Sequence, residues 1–284
     1  IDSKVNLKPG GAWNLAIENS QGQYIGIVDS DDYVSLNMFA TLVDNSLNYT
    51  ADIVVGNCYA THGDEDIVMH NFQPEIDNLI SIKKSVLING CRMWTNIFKK
   101  DLFLNYNLWY PERLVYEDIA VRAPLFMIAD KIILCHNTSP LYYYRINNES
   151  VVRSYNNHHC WDRLITANMF LDHTKRLNLY ETYKDEIEYS YWSLFLKTSM
   201  VYAIFSFSKY QYAKVKEIIG EYNEHKGVDD IKNNTYYKKD RSTHKYLCLI
   251  LCCCPFVGYI IRWGQHLKHR FVRTKNKIQL FYHS

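Results

Sequence analysis

In the first half of the chain the apolar residues come in short unbroken runs, and in the second half they recur at helical spacing. Residues 24–28, 52–56, 131–135 and 141–145 are such runs, bounded by polar or turn-forming neighbours, and this pattern predicts core strands, as in a parallel sheet. Between the first two runs, Leu36, Phe39, Leu42, Val43 and Leu47 fall at helical spacing behind Ser35, a residue suited to capping. Strand, helix and strand of these lengths predict a βαβ unit, right-handed by default. Upstream, Gly10-Gly11 predicts a glycine-rich loop opening a short helix that ends before Gly22.

Residues 57–78 are polar and predict an exposed hairpin or loop around 62–66. Residues 82–104 predict a helix, an aromatic-containing stretch over 93–98 and a second short helix, and 119–129 predict another helix carrying Pro124. From Trp161 to Tyr222 the periodicity is helical throughout, followed by a polar linker over 226–242. The stretch 246–261 is apolar but broken by Pro255 and Gly258, and it falls short of the about 20 residues a spanning helix needs. Arg262, Lys268, Arg270, Arg273, Lys275 and Lys277 follow, so the tail reads as an in-plane anchor on an anionic membrane surface or as a hairpin packed on the domain. The chain divides accordingly into 1–158, a mixed α/β part; 159–240, helices and linker; and 241–284, the apolar and basic tail.

With 284 residues the chain can bury a sizeable core. Its net charge of +2 calls for no polyanionic partner, and no nucleic acid is expected. The 8 cysteines include the run Cys252-Cys253-Cys254 and lack zinc spacing, which fits a reducing, cytoplasmic setting.

The chemistry is concentrated in Asp29-Ser30-Asp31-Asp32, directly after the first apolar run. Open α/β sheets bind ligands at the carboxyl ends of their strands, so these carboxylates fall where a ligand would. Crowded carboxylates raise one another's pKa unless a cation neutralises them. Mg²⁺ or Mn²⁺ suits that role, since each takes oxygen ligands from one or two carboxylates and completes its shell with water and phosphates. The other reading of the tetrapeptide alone is a solvated turn capping the next helix.

Five segments, in order, resemble bacterial family 2 glycosyltransferases of the GT-A fold. They are Asn14-Leu15-Ala16-Ile17 with Gly22-Gln23-Tyr24-Ile25, the acidic tetrapeptide, Trp94-Thr95-Asn96-Ile97-Phe98-Lys99-Lys100, Tyr116-Glu117-Asp118 and Tyr142-Tyr143-Tyr144-Arg145. The resemblance covers residues 1–155 and implies a Rossmann-like GT-A mixed sheet lacking its first strands, followed by a mainly helical C-terminal region. It implies a DxD element in which Asp29 and Asp31 hold a divalent metal, Mg²⁺ or Mn²⁺, and the nucleotide-sugar donor, with Asn14 and Trp13 on the nucleotide. Asp32 would cap the following helix. It implies Asp118 as the catalytic base of an inverting transfer, with Glu117 and Trp94 near the acceptor or sugar. Arg145 and Arg153 read first as surface or structural arginines, and second as groups approaching the diphosphate or an anionic acceptor. The implied reaction moves a sugar to a hydroxyl of a saccharide or lipid-linked acceptor in surface polysaccharide synthesis, at the inner membrane face.

Two departures bear on that reading. The chain opens at Ile1 with no complete βαβ unit before the acidic turn, where the family places about 70 residues carrying its first nucleotide contacts, so an N-terminally truncated domain is expected. The family's frequent Ala-Arg-Asn is Ala12-Trp13-Asn14 here. The alternative reading is therefore an inactive fragment or pseudoenzyme. A two-metal phosphoryl-transfer site is disfavoured, because Asp29, Asp31 and Asp118 offer too few carboxylates from separate strands.

Overall fold

A computed structural model describes residues 3–62, 65–68, 78–135, 141–146, 158–227 and 230–264. Arg153 and the basic residues beyond 264 lie outside them. Among the described residues eight strands form two four-stranded sheets, ordered β1-β6-β3-β7 and β2-β8-β4-β5. In the first, β1 (Tyr24–Gly26) and β3 (Ile53–Val55) both run antiparallel to β6 (Asn96–Lys99), and β3 runs parallel to β7 (Ile132–Leu134). The expected βαβ unit is therefore altered: β1 and β3 point the same way, but β6 lies between them. Apolar runs report burial and not the direction of the neighbour, which is why sequence reads them as adjacent parallel strands. Helix α2 (Met38–Tyr49) packs on β3, β6 and β7.

The second sheet pairs β2 (Tyr33–Val34) antiparallel with β8 (Tyr142–Arg145), β8 parallel with β4 (Cys58–His62), and β4 antiparallel with β5 (Glu65–Val68). The hairpin expected in the 57–78 stretch is this β4–β5 pair.

Local expectations change in three places. Helix α1 spans Lys8–Asn19, so Gly10 and Gly11 lie inside it. They are buried there because a Cβ on Gly10 would collide with the Pro111 carbonyl and crowd Glu117. Ser35 does not cap α2, which begins at Met38 with Asn37 at its cap position. The buried face of α2 is Met38, Leu42 and Ser46, leaving Leu36 and Leu47 exposed. The 226–242 stretch folds back on the helices: Asn234 caps α10 (Thr235–Lys239), Tyr237 is buried, and Asp240 accepts from Lys197 Nζ at 2.8 Å and Tyr189 Oη at 3.0 Å. Two tyrosines among lysines bury rings while the charged ends stay wet, a pattern that polarity alone reads as linker.

Helix α4 (Lys100–Asn105) follows β6, α5 (Asp118–Ile128) backs the first sheet through Phe126 against Phe98, and α3 (Leu79–Asn89) and α6 (Asp162–Arg176) pack on α5. One apolar cluster runs from Ile25 and Phe98 through Phe126 and Phe170 to Tyr191, Phe195 and Leu251. Buried aliphatic and aromatic side chains of this kind contribute about 1.5–3 kcal/mol each, so the C-terminal helices brace the helix that carries Glu117 and Asp118 at its start. Helix α7 (Lys184–Tyr191) continues through a π-helical stretch, Trp192–Lys197, into α8 (Thr198–Phe205). After α9 (Tyr212–His225) and α10, α11 (Thr243–Cys253) packs on α8 and the π-helical stretch through Lys245, Cys248 and Leu251.

Candidate active site

The acidic turn follows β1 and is held from the second sheet. Asp32 N–H donates to the Asp29 carbonyl at 3.1 Å, closing the turn. The Tyr142 hydroxyl accepts from Asp29 N–H at 3.1 Å and donates to Asp32 Oδ2 at 2.7 Å. Arg145 N–H donates to Asp32 Oδ1 at 2.8 Å. Both oxygens of Asp32 are thus bound to β8, and the helix-capping role expected of it is replaced by a structural tie between the sheets. Asp29 and Asp31 remain on the cavity side.

Glu117 and Asp118 stand at the start of α5, behind Tyr116, whose φ of 66° is left-handed. A bulky residue in that region is costly and is kept only where its surroundings impose it. Here the Arg163 guanidinium sits 4.1 Å from the Tyr116 ring centre, and Tyr116 Oη lies 3.2 Å from Tyr202 Oη, so α6 and α8 hold the turn that presents the acid pair. Asp118 Oδ2 accepts from Arg122 at 2.6 Å, one helical turn along.

A cavity of roughly 780 Å³ is lined by Asp29, Ser30, Asp31, Glu117 and Asp118 on its acidic part, by Trp13 and Trp94, and by Lys8, Arg92, Arg122 and His159. Trp94 packs on Tyr142 at 4.3 Å and Tyr144 at 5.7 Å between ring centres, with the Arg92 guanidinium 5.5 Å from its own. Trp13 meets Tyr110 edge-on at 5.0 Å. Six of the seven expected site residues therefore share one cavity.

Asn14 is the seventh, and it is not among the lining residues. Its buried amide donates to the Tyr110 carbonyl at 2.8 Å and accepts Tyr110 N–H at 2.9 Å. That corrects the expectation of a nucleotide contact: both ends of the amide are spent on the backbone ahead of the Glu117-Asp118 turn. Losing them would orphan two buried backbone groups at about 1–3 kcal/mol each. A motif match locates Asn14 but does not say which way its amide faces.

Burial, then the charges of Asp32, Asp31 and Asp118, pushes the Asp29 carboxyl up to about 6. Burial first, and then Asp118 and Asp29, pushes Glu117 up to about 7. The acidic part thus carries mutual repulsion that a divalent ion would relieve, and its donors are all oxygen, as Mg²⁺ or Mn²⁺ prefers. Among the described residues no three metal-ligating side chains converge. The arrangement fits an ion held by Asp29 and Asp31 with the rest of its shell from water and phosphate.

Sequence reading passed over Arg122, Lys8, Arg92 and His159. Arg122 had a local signal, since it stands four residues after Asp118 on one helix. The others reach the cavity only through tertiary packing.

Residues 1–102 match the family model described as glycosyl transferase family 2. Glycosyltransferase GlyA of Streptococcus pneumoniae is 27% identical over 163 residues, which cover 52% of this chain and 22% of GlyA. Glycosyltransferase GlyG of the same organism is 27% identical over 156 residues, covering 50% of each chain. This chain therefore spans half or less of the length of these curated relatives. The crystal structure of S. aureus TarS 1–349 superposes with a TM-score of 0.57 at 17% identity, covering 77% of this chain and 60% of that one. The crystal structure of S. aureus TarS also gives 0.57, at 14% identity, covering 88% and 41%. The fold is the mixed α/β arrangement of TarS with a helical C-terminal region, and residues 1–102 are similar to glycosyl transferase family 2.

Proposed function

We propose that the protein transfers a sugar from a nucleotide-sugar donor to a hydroxyl of a saccharide acceptor, with inversion at the anomeric carbon. The observation that carries this reading is that Asp29 and Asp31 share one cavity with the Glu117-Asp118 pair. A hard cation on Asp29 and Asp31 would, when bound, offset the charge growing on the departing diphosphate. Asp118 acts as base: it takes the proton of the acceptor hydroxyl as that oxygen bonds to the anomeric carbon and the bond to the diphosphate oxygen breaks on the opposite face. Arg122 holds Oδ2 of Asp118 and so fixes the plane of the carboxylate. Glu117, poised near neutrality, exchanges hydrogen bonds with acceptor or sugar hydroxyls. Trp94 offers an aromatic face to sugar C–H groups. Incubating the full chain with a panel of nucleotide-sugars and Mg²⁺ or Mn²⁺, and following donor loss by mass spectrometry, should give turnover of at least one donor that chelation abolishes. Turnover that survives chelation would remove the metal from the mechanism.

The acceptor is lipid-linked in this reading, and the protein works at the cytoplasmic face of the membrane in surface polysaccharide synthesis. Among the described residues no helix is long and apolar enough to cross a membrane. The outer side of the C-terminal helices instead exposes Tyr246, Ile250, Phe256, Tyr259, Ile260 and Trp263, the last at 65%. From residue 241 onward the sequence contains no aspartate or glutamate and eight lysines and arginines. Apolar side chains beside basic ones suit an anionic interface. In liposome flotation the full chain should float with vesicles containing anionic lipid and stay behind with neutral ones, and Phe256→Ser with Trp263→Ser should reduce the bound fraction several-fold. Equal recovery on both vesicle types would exclude an anionic surface.

A further inference from the structure

The turn leading into Glu117 and Asp118 contains no glycine over residues 110–117, yet it holds two left-handed residues, Arg113 at a φ of 62° and Tyr116 at 66°. A side chain with a Cβ is disfavoured there, and the conformation persists only where the surroundings impose it. The first two residues of α6 impose it. Asp162 Oδ2 accepts Val115 N–H at 3.0 Å, and the Arg163 guanidinium lies 4.1 Å from the Tyr116 ring centre and 5.6 Å from that of Tyr202. Two consecutive residues of α6 thus hold two consecutive residues of the turn, and the Tyr202 hydroxyl on α8 meets that of Tyr116 at 3.2 Å. Backbone geometry carries the constraint onward. The Tyr116 carbonyl accepts Ile119 N–H at 3.2 Å, so a shift of Tyr116 moves the first turn of α5, where Asp118 stands.

Val115, Tyr116, Glu117 and Asp118 line the cavity, whereas Asp162 and Arg163 are not among its lining residues. Their route to the chemistry is through the turn. We propose that Asp162 and Arg163 are positioning residues for Asp118: they hold Val115 and Tyr116 in the turn that sets the Asp118 carboxylate in the cavity. Helical residues beyond 158 then complete a site whose carboxylates all lie before it. A base displaced by a fraction of its hydrogen-bond length loses its line to the acceptor hydroxyl, so the clamp acts on the rate of transfer and not on donor binding. This rests on the transferase reading for what Asp118 does, while the clamp itself can be measured without turnover.

The test is amide hydrogen exchange over residues 114–120 together with steady-state turnover, both on the full chain. In Arg163→Met and Asp162→Ala these amides should exchange faster, and kcat should fall about 10–100-fold while the donor KM stays within about twofold. Arg163→Lys keeps a cation over the two rings and should retain most of the activity. In a Tyr116→Gly background the left-handed backbone no longer opposes a side chain, so adding Arg163→Met should change kcat by less than about twofold. Unchanged exchange and kcat in Arg163→Met would overturn the proposal. So would an equal loss in both backgrounds, which would mean that Arg163 acts by a route other than Tyr116, or a raised donor KM with kcat intact. If Arg163→Met does not fold, Tyr202→Phe, which removes one hydroxyl, carries the same test: a several-fold loss of kcat with faster exchange supports the clamp, and no change in either refutes it. If the wild type turns over no donor, the transferase reading falls, and the exchange pattern alone decides whether α6 holds the turn.

Discussion

Replacing Asp118 by Asn should lower turnover by about 10²–10⁴-fold, the usual worth of a positioned general base, while leaving donor binding nearly unchanged. The substitution is nearly isosteric, and an asparagine oxygen can still accept from Arg122, so the start of α5 should persist and the loss should appear in kcat. The neighbour makes this a sharp test. Glu117 is 9% exposed and pushed up to about 7, which also suits a base at neutral pH. Removing the Asp118 charge takes away a group that raises Glu117, so in Asp118→Asn any pH-rate feature belonging to Glu117 should move to lower pH. A matched Glu117→Gln measurement decides between them: if that variant loses far more kcat than Asp118→Asn, the roles are reversed. Near-wild-type turnover in Asp118→Asn would end the assignment.

Replacing Asp31 by Ala should weaken metal-dependent donor binding by about 10–100-fold, the equivalent of one lost charge-assisted contact of about 1.5–3 kcal/mol. Calorimetry with UDP and Mg²⁺ reads this directly, and unchanged affinity would remove Asp31 from the metal site. The same binding should depend on pH through Asp29. Its acid is raised to about 6, so the carboxylate is protonated below that value, and a proton must leave before it can bind a cation. Affinity in the wild type should therefore be constant well above pH 6 and fall as pH drops through it. The linkage to stability has the opposite sense. An acid raised in the folded state binds more protons there than in the unfolded chain, so without metal this group makes the fold less stable as pH rises through about 6, and metal should reverse that loss. Thermal unfolding at pH 5 and pH 7.5, with and without Mg²⁺, checks the sign.

Much of this molecule is legible along the chain because the relevant signals are local. The acidic turn after an apolar run, the Glu117-Asp118 pair at a helix start and the strands at 24–26, 53–55, 132–134 and 142–145 each depend on neighbours within a few residues. Helical periodicity likewise forecasts the helical second half. Sequence order and residue type thus determined the kind of fold and six residues of one cavity.

Tertiary structure decided the remainder, because it depends on contacts between residues far apart. Strand β6 enters between β1 and β3 from more than forty residues downstream of β3, and no pattern within either strand announces it. Asn14 turns its amide to Tyr110, 96 positions away, instead of to a ligand, and Tyr142 ties the acidic turn from 113 positions away. Lys8 meets His159 across 151 positions. The carboxylates could be read from their order, whereas the raised pKa values of Asp29 and Glu117 come from burial and packing.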